Sequence, residues 1–224
     1  MELDALFDRT ASLATRPRTV CELPGGLTNR NYKVTTPDGT FVARVSSGGS
    51  ELLAIDRDCE YRNSVTAAAA GAGAPVVEYR PRDGVLVIGY IQGRTFGNAD
   101  VAAAENLARI AQACRRLHSG GRFGNDFDMF DIQRRYRSVV RSRGFRIPAG
   151  YDDLAPAFEA VRAALAVRDL GTVPCNNDLL AANFIDDGDR IWLIDYEYSG
   201  NNDACFELGN IWAECHLSVD ALAE

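Results

Sequence analysis

The sequence predicts an α+β protein of two lobes sharing a cleft: an antiparallel sheet with one main helix, then a mostly helical half. Three observations carry that expectation. Short apolar runs broken by Pro24-Gly25-Gly26, Pro37-Asp38-Gly39 and Arg82-Asp83-Gly84 crowd the region before Gln92. Long helical stretches dominate after Gly93. No repeat or low-complexity tether separates the halves, so the change of pattern at Gln92-Gly93 reads as a hinge, dividing the chain into 1–92 and 93–224.

The elements follow in order. Leu3, Leu6, Phe7 and Leu13 place an amphipathic helix before Pro17. Thr19–Leu23, Asn31–Thr35 and Phe41–Val45 read as a three-stranded meander. Alanine-rich Ser50–Ala70 reads as a helix stopped by Gly71 and Gly73, followed by strands at Val76–Tyr79 and Val85–Tyr90. Beyond the hinge, a helix is expected from Asp100, as N-cap, to Leu117, with Gly120-Gly121 as its stop. Helices at Asp131–Arg143 and Asp152–Val167, strands at Thr172–Cys175 and Ile191–Ile194, and one last helix from Phe206 complete the expectation.

Composition excludes several classes. The chain has 224 residues, 46% of them hydrophobic, and a formal charge of -7, which disfavours nucleic acid as a partner. Met1 to Arg18 lacks a basic start followed by an apolar core, and no apolar run is long enough to span a bilayer. Six scattered cysteines without CxxC spacing suggest a reducing cytoplasm, and two histidines, His118 and His216, give little prospect of a Cys/His metal centre.

Chemistry concentrates in two segments of the second half. Asp178 precedes Asn183 by five residues, and Ile191-Trp192-Leu193-Ile194 ends in Asp195. Phosphoryl transfer to a hydroxyl needs a carboxylate beside the attacking oxygen and oxygen ligands for the metal on the phosphates. Asp178 suits the first task, and Asn183 with Asp195 suits magnesium. Singly, each residue is also ordinary turn chemistry; as an ordered set they point to the site. In the first half, Pro24-Gly25-Gly26-Leu27-Thr28-Asn29 is either a hairpin turn or a phosphate-approaching loop. Arg44, alone among apolar neighbours, could pair with Glu60, inside or on the surface.

These segments resemble the choline kinase and aminoglycoside phosphotransferase superfamily, distant relatives of protein kinases. PGGLTN (24–29), FVARV (41–45), NDLLAAN (177–183), LIDYEYSGNND (193–203) and FELGN (206–210) stand in family order, and the last two look closer to the choline/ethanolamine kinase branch. The resemblance implies a protein-kinase-like fold in which 1–92 binds ATP and 93–224 is the catalytic lobe. It implies Asp178 as catalytic base and Asn183 and Asp195 as ligands of Mg2+. Arg44, positioned by Glu60, would contact the phosphates, with Thr28 and Asn29 covering them. Ile88–Gln92, with Ile88 and Tyr90, would meet the adenine. Glu214 resembles a substrate-facing acid; Glu197, Tyr198 and Trp212 are further candidates for an amino alcohol, the aromatics reading equally as core packing.

Two departures stand out. The family carries histidine where this chain has Asn176, which is expected to replace one hydrogen bond of that brace. Relatives also continue through helices that close the acceptor pocket. A C-terminally shortened lobe is therefore expected, with the pocket completed by a partner chain, as in a homodimer, or binding its acceptor poorly. The expected activity is ATP-dependent phosphorylation of choline or ethanolamine. The alternatives are an aminoglycoside, thiamine or sugar kinase, and a nucleotide- or partner-binding pseudokinase.

Overall fold

Tight turns fix the register of the first sheet. In the computed structural model, which describes residues 3–26, 28–46, 53, 55–167 and 170–223, β1 (Thr19–Leu23), β2 (Asn29–Thr36) and β3 (Gly39–Ser46) form the meander. β4 (Val76–Arg80) and β5 (Val85–Gly89) complete a five-stranded antiparallel sheet in the order β1-β2-β3-β5-β4. Gly84 lies in the left-handed region at φ 64°, the conformation the β4–β5 connection demands. Alternation along β3 sends successive side chains to opposite faces. Ala43 thus joins Tyr32, Val34, Val85 and Val87 in a core covered by Leu6 and Phe7 of α1 (Leu3–Asp8) and by Leu13. Arg44 is left on the other face.

That second face meets α2 (Arg57–Ala69), which starts where the Asp56 carboxylate accepts the Cys59 N–H at 2.9 Å. Of the helix expected over Ser50–Ala70, residues 50–52 and 54 lie outside the described residues, as do Leu27 of the glycine turn and Glu224.

Beyond Gly93 the chain forms β6 (Arg94–Thr95), α3 (Asn98–Val101), α4 (Ala104–His118), α5 (Met129–Ser142) and α6 (Ala155–Leu165). β7 (Val173–Cys175), β8 (Phe184–Asp186), β9 (Ile191–Leu193), β10 (Gly200–Asn202), α7 (Ala204–Glu214) and α8 (Val219–Ala223) follow. β8 pairs with both β6 and β9, and β10 with β7. The second core gathers Ile110, Cys114 and Leu117 of α4 with Leu179, Phe184, Ile191, Leu193 and Ile211.

Several boundaries differ from the sequence expectation. The first helix is shorter than residues 1–17 allowed, ending at Asp8 and continuing only as a turn at Ala11–Leu13. The helix expected from Asp100 is two helices, and Asp100 is not its N-cap. Its carboxylate accepts the Gly97 N–H at 2.8 Å inside α3, while Asn106 of α4 donates to the Asp100 carbonyl at 2.9 Å and stabilises the break. The helix expected from Phe206 to the end starts at Ala204 under an Asp203 cap and stops at Glu214, and α8 follows it. There His216 turns left-handed at φ 55° and Leu217 N–H closes on the Trp212 carbonyl at 3.0 Å, a Schellman-type stop. β6, β8 and β10 are too short to leave a periodic signal.

Where the chain leaves the first sheet, space is tight. A Cβ on Gly93 would stand 2.5 Å from the Asp186 carbonyl oxygen and 2.8 Å from Ile185 Cγ2. Gly93→Ala is therefore expected to cost about 2 kcal/mol of stability, read as a lower midpoint in urea unfolding. An unchanged midpoint would refute the close approach of β8.

Candidate active site

The site is built on the loop between β7 and β8. Asn177 sits in the left-handed region at φ 66°, a conformation asparagine tolerates better than most residues. Its carboxamide donates to the carbonyl of Tyr198 at 3.1 Å and accepts from Asn202 Nδ2 at 2.8 Å. Asn176, fully buried, makes three side-chain hydrogen bonds. Its oxygen accepts the Asp178 N–H at 3.1 Å, and its nitrogen donates to the carbonyls of Ile194 at 3.1 Å and Asp195 at 3.0 Å. The one bond expected of this asparagine is thus an underestimate: it ties the Asp178 backbone directly to the end of β9.

Asn183 and Asp195 are drawn to the same place. Asn183 Nδ2 donates to the Asp178 carbonyl at 2.6 Å, and the Asn183 carbonyl accepts the Ile194 N–H at 3.0 Å. Asp195 follows β9 at φ 63°, and its Oδ1 accepts from Arg44 at 2.6 Å. Asp178 is half-buried. Burial, followed by the charges of Asp195, Glu197 and Glu214, pushes its pKa up to about 6.

Arg44 reaches into this group from the sheet. Its guanidinium lies 3.0 Å from Glu60 of α2, 2.6 Å from Asp195 and 3.8 Å from Glu197, and only 7% of the side chain is exposed. Burial opposes the charge, but Asp195 and Glu60 outweigh it and hold the proton more tightly than usual. The inside alternative for the Arg44–Glu60 pair is the one realised. Glu197 accepts from Thr28 Oγ1 at 2.6 Å, Asn29 Nδ2 at 3.1 Å and Arg57 at 3.1 Å. Its pKa is raised by burial and by Asp195. Glu197 therefore faces the glycine turn and the two arginines. Arg57 was not among the expected residues; its spacing of three from Glu60 on α2, where they pair at 2.6 Å, was a usable signal.

The remaining candidates scatter. Ile88 lines a narrow cleft with Arg44, Glu60, Leu86, Asp195 and Tyr196. Tyr90 stands away from it, its ring under the Lys33 ammonium at 4.0 Å and its N–H bonded to Thr40 at 3.1 Å. Tyr198 is half-buried beside Tyr136 of α5, its pKa raised by burial, then by Tyr136 and Glu197. Glu214, exposed on α7, contributes to the field on Asp178. Trp212 is 39% exposed.

A magnesium ion fits this donor set. Asn183 spends its nitrogen on Asp178 and Asp195 spends Oδ1 on Arg44. The Asn183 carboxamide oxygen and Asp195 Oδ2 have no hydrogen-bond partner among the described residues, and both are hard oxygen ligands. Nε of Arg44 and of Arg57 are buried without a hydrogen-bond partner among the described residues, so each arginine keeps an unspent N–H at this site.

The chain is similar to the crystal structure of a choline/ethanolamine kinase family protein from Mesorhizobium loti, at 31% identity and a TM-score of 0.83. That match covers 98% of this chain and 71% of the other. An aminoglycoside phosphotransferase in a streptomycin–ATP complex shares the fold at 16% identity and a TM-score of 0.65, covering 93% of this chain and 75% of that one. Protein LicA of Haemophilus influenzae is 29% identical over 204 residues, covering 88% of this chain and 58% of its own length. Mouse ethanolamine kinase 2 is 28% identical over 191 residues, covering 77% of this chain and 46% of its own. The chain thus spans about half of these two relatives. Residues 19–224 match the phosphotransferase enzyme family, in the same protein-kinase-like fold, and the chain belongs to that family.

Proposed function

We propose that the protein transfers the γ-phosphoryl group of ATP to the hydroxyl of a small amino alcohol such as choline or ethanolamine. One observation carries the reading: a half-buried Asp178, its pKa pushed up to about 6, anchored by Asn176 to the chain that bears Asp195. A base poised near neutrality suits proton acceptance from a hydroxyl. On this reading Asp178 orients the attacking hydroxyl and accepts its proton as oxygen bonds to phosphorus and ADP departs. Asn183 and Asp195 hold magnesium, which when bound neutralises charge on the phosphates. Arg44, set by Glu60, and Arg57 donate to phosphate oxygens beneath Thr28 and Asn29, with Ile88 and Tyr90 on the adenine side. Glu214 and Tyr198 give the acceptor's ammonium a negative and aromatic wall, with Trp212 at its edge. Glu197 moves in this proposal from the acceptor to the phosphate side, because its partners are Thr28, Asn29 and Arg57. Similarity to LicA and ethanolamine kinase 2 favours the amino alcohol over an aminoglycoside. No described helix is long and apolar enough to cross a membrane.

Asp178→Ala is expected to lower phosphate transfer from ATP to choline or ethanolamine by about a thousandfold or more, with circular dichroism unchanged. Wild-type turnover in that variant would remove the base from the mechanism. Asp195→Ala is expected to weaken magnesium-dependent ATP binding in calorimetry on the order of tenfold, and equal affinity would exclude Asp195 as a ligand.

The raised pKa of Asp178 also sets a stability signature. Folded Asp178 holds its proton up to about 6, whereas the unfolded residue loses it near the ordinary aspartate value. Its contribution to stability is therefore complete below the unfolded pKa and lost as pH rises through 6. Without metal, Asp178→Asn is expected to melt several degrees above the wild type at pH 8, and the gain should shrink towards pH 4. A gain independent of pH would contradict the crowding of carboxylates around this residue.

A further inference from the structure

The amides that lead into Asp178 are fixed from below by α7. Glu207 is fully buried, and its Oε1 accepts N–H groups from both Asn176 and Asn177, the latter at 3.2 Å. Asn210, one turn on, accepts the Leu179 N–H at 2.6 Å, and Asn176 itself takes the Asp178 N–H. Two successive amides aimed at one carboxylate oxygen, around a left-handed Asn177, form an anion-holding nest. The loop can keep this shape only while Glu207 stays in place.

The other oxygen of Glu207 decides whether it does. Oε2 stands 2.5 Å from Nε2 of His118, the last residue of α4, and no other side chain bonds that oxygen among the described residues. A fully buried carboxylate oxygen without a donor is costly. Cys175 lies nearby, with its sulfur 3.8 Å from the same nitrogen. Burial, then Glu207, raises the pKa of that thiol, which donates to the Asn202 carbonyl at 3.7 Å. These donors also fall within 4.8 Å of one another, but a protonated thiol and a carboxylate already engaged by two amides describe a hydrogen-bonded brace, not a metal centre.

We propose that His118 is a positioning residue for phosphoryl transfer: through Glu207 it holds the amides of Asn176 and Asn177 and thereby sets Asp178 against the acceptor hydroxyl. The proposal rests on the assignment of Asp178 as base. His118 touches neither Arg44, Thr28 nor Asn29, so its loss bears on the chemical step and spares nucleotide affinity.

The test compares His118→Gln, whose amide nitrogen reaches the position of Nε2, with His118→Asn, whose amide falls short. With ATP and choline or ethanolamine, the asparagine variant is expected to lose on the order of tenfold in kcat at an unchanged KM for ATP. The glutamine variant should stay near the wild type. In nucleotide-free protein, amide exchange at Asn176 and Asn177 should quicken by about tenfold in the asparagine variant and not in the glutamine variant. Equal kcat losses in both variants would assign His118 to packing and overturn the proposal, as would an asparagine variant with wild-type kcat. The exchange measurement needs no turnover. If the wild type phosphorylates no acceptor, the proposed function fails by itself, while unchanged exchange in the asparagine variant removes the brace whatever the activity.

Discussion

The arrangement depends on one buried cation. Arg44 projects from the middle of a sheet, where an unpaired guanidinium would cost several kcal/mol to desolvate. It is compensated by carboxylates from three places in the chain: Glu60 on α2, Asp195 after β9, and Glu197 two residues later. Each of those elements is thereby located. α2 must lie against the second face of the sheet, and the chain after β9 must turn so that Asp195 points back at the first lobe. The left-handed backbone at Asp195 is a local consequence of that demand.

The loop that carries Asp178 is held by a different kind of force. Few of its fixing contacts are ion pairs; most are neutral hydrogen bonds from buried carboxamides. Asn176 links Asp178 to β9, Asn177 links the loop to Tyr198, and Asn210 takes the next free amide. A carboxamide offers both a donor and an acceptor from one rigid plane, so each side chain can bridge two backbones. The same economy recurs at Asn201, which donates to the carbonyls of Phe123 and Asn125 and fixes the chain just after Tyr198. Backbone held in this way leaves the Asp178 carboxylate free of structural duty, and that is the condition for electrostatic preorganisation.

Much of this was legible in the sequence, and the limits have physical causes. The sheet was readable because its turns need glycine, and Gly84 in particular needs a positive φ. Asp178, Asn183 and Asp195 stood out as a set because a carboxylate and a carboxamide five residues apart, with a second carboxylate at the exit of an apolar strand, suit phosphoryl transfer, and the structure brings their backbones together. The break between α3 and α4 was not, because Asn106 reaching back to the Asp100 carbonyl is a contact no helical period encodes. The work of Asn176 was underestimated for a similar reason. Its bonds to Ile194 and Asp195 join positions 18 and 19 residues apart, and only the packed structure reveals that geometry. Glu197 was read by its neighbour Tyr198, yet the two are the middle residues of a turn closed by the Ser199 N–H on the Tyr196 carbonyl, and the acid turned to the arginines.

A charge balance connects the two halves of the site. Arg44 and Arg57 are the cations in contact with Glu60, Asp195 and Glu197, and Asp178 and Glu214 add further negative charge without a cationic partner among the described residues. The cleft is therefore short of positive charge, and burial together with that deficit lets Asp178 hold its proton up to about 6. On the proposed reading, a divalent cation beside Asn183 and Asp195 and an ammonium group near Glu214 would both relieve that deficit. The first would lower the proton affinity of Asp178 as nucleotide binds, and the second as the acceptor does. With a pKa of about 6 the base is mostly charged at neutral pH already, and the two reactants would complete that charge, so that repulsion among the carboxylates becomes attraction for the pair it acts upon.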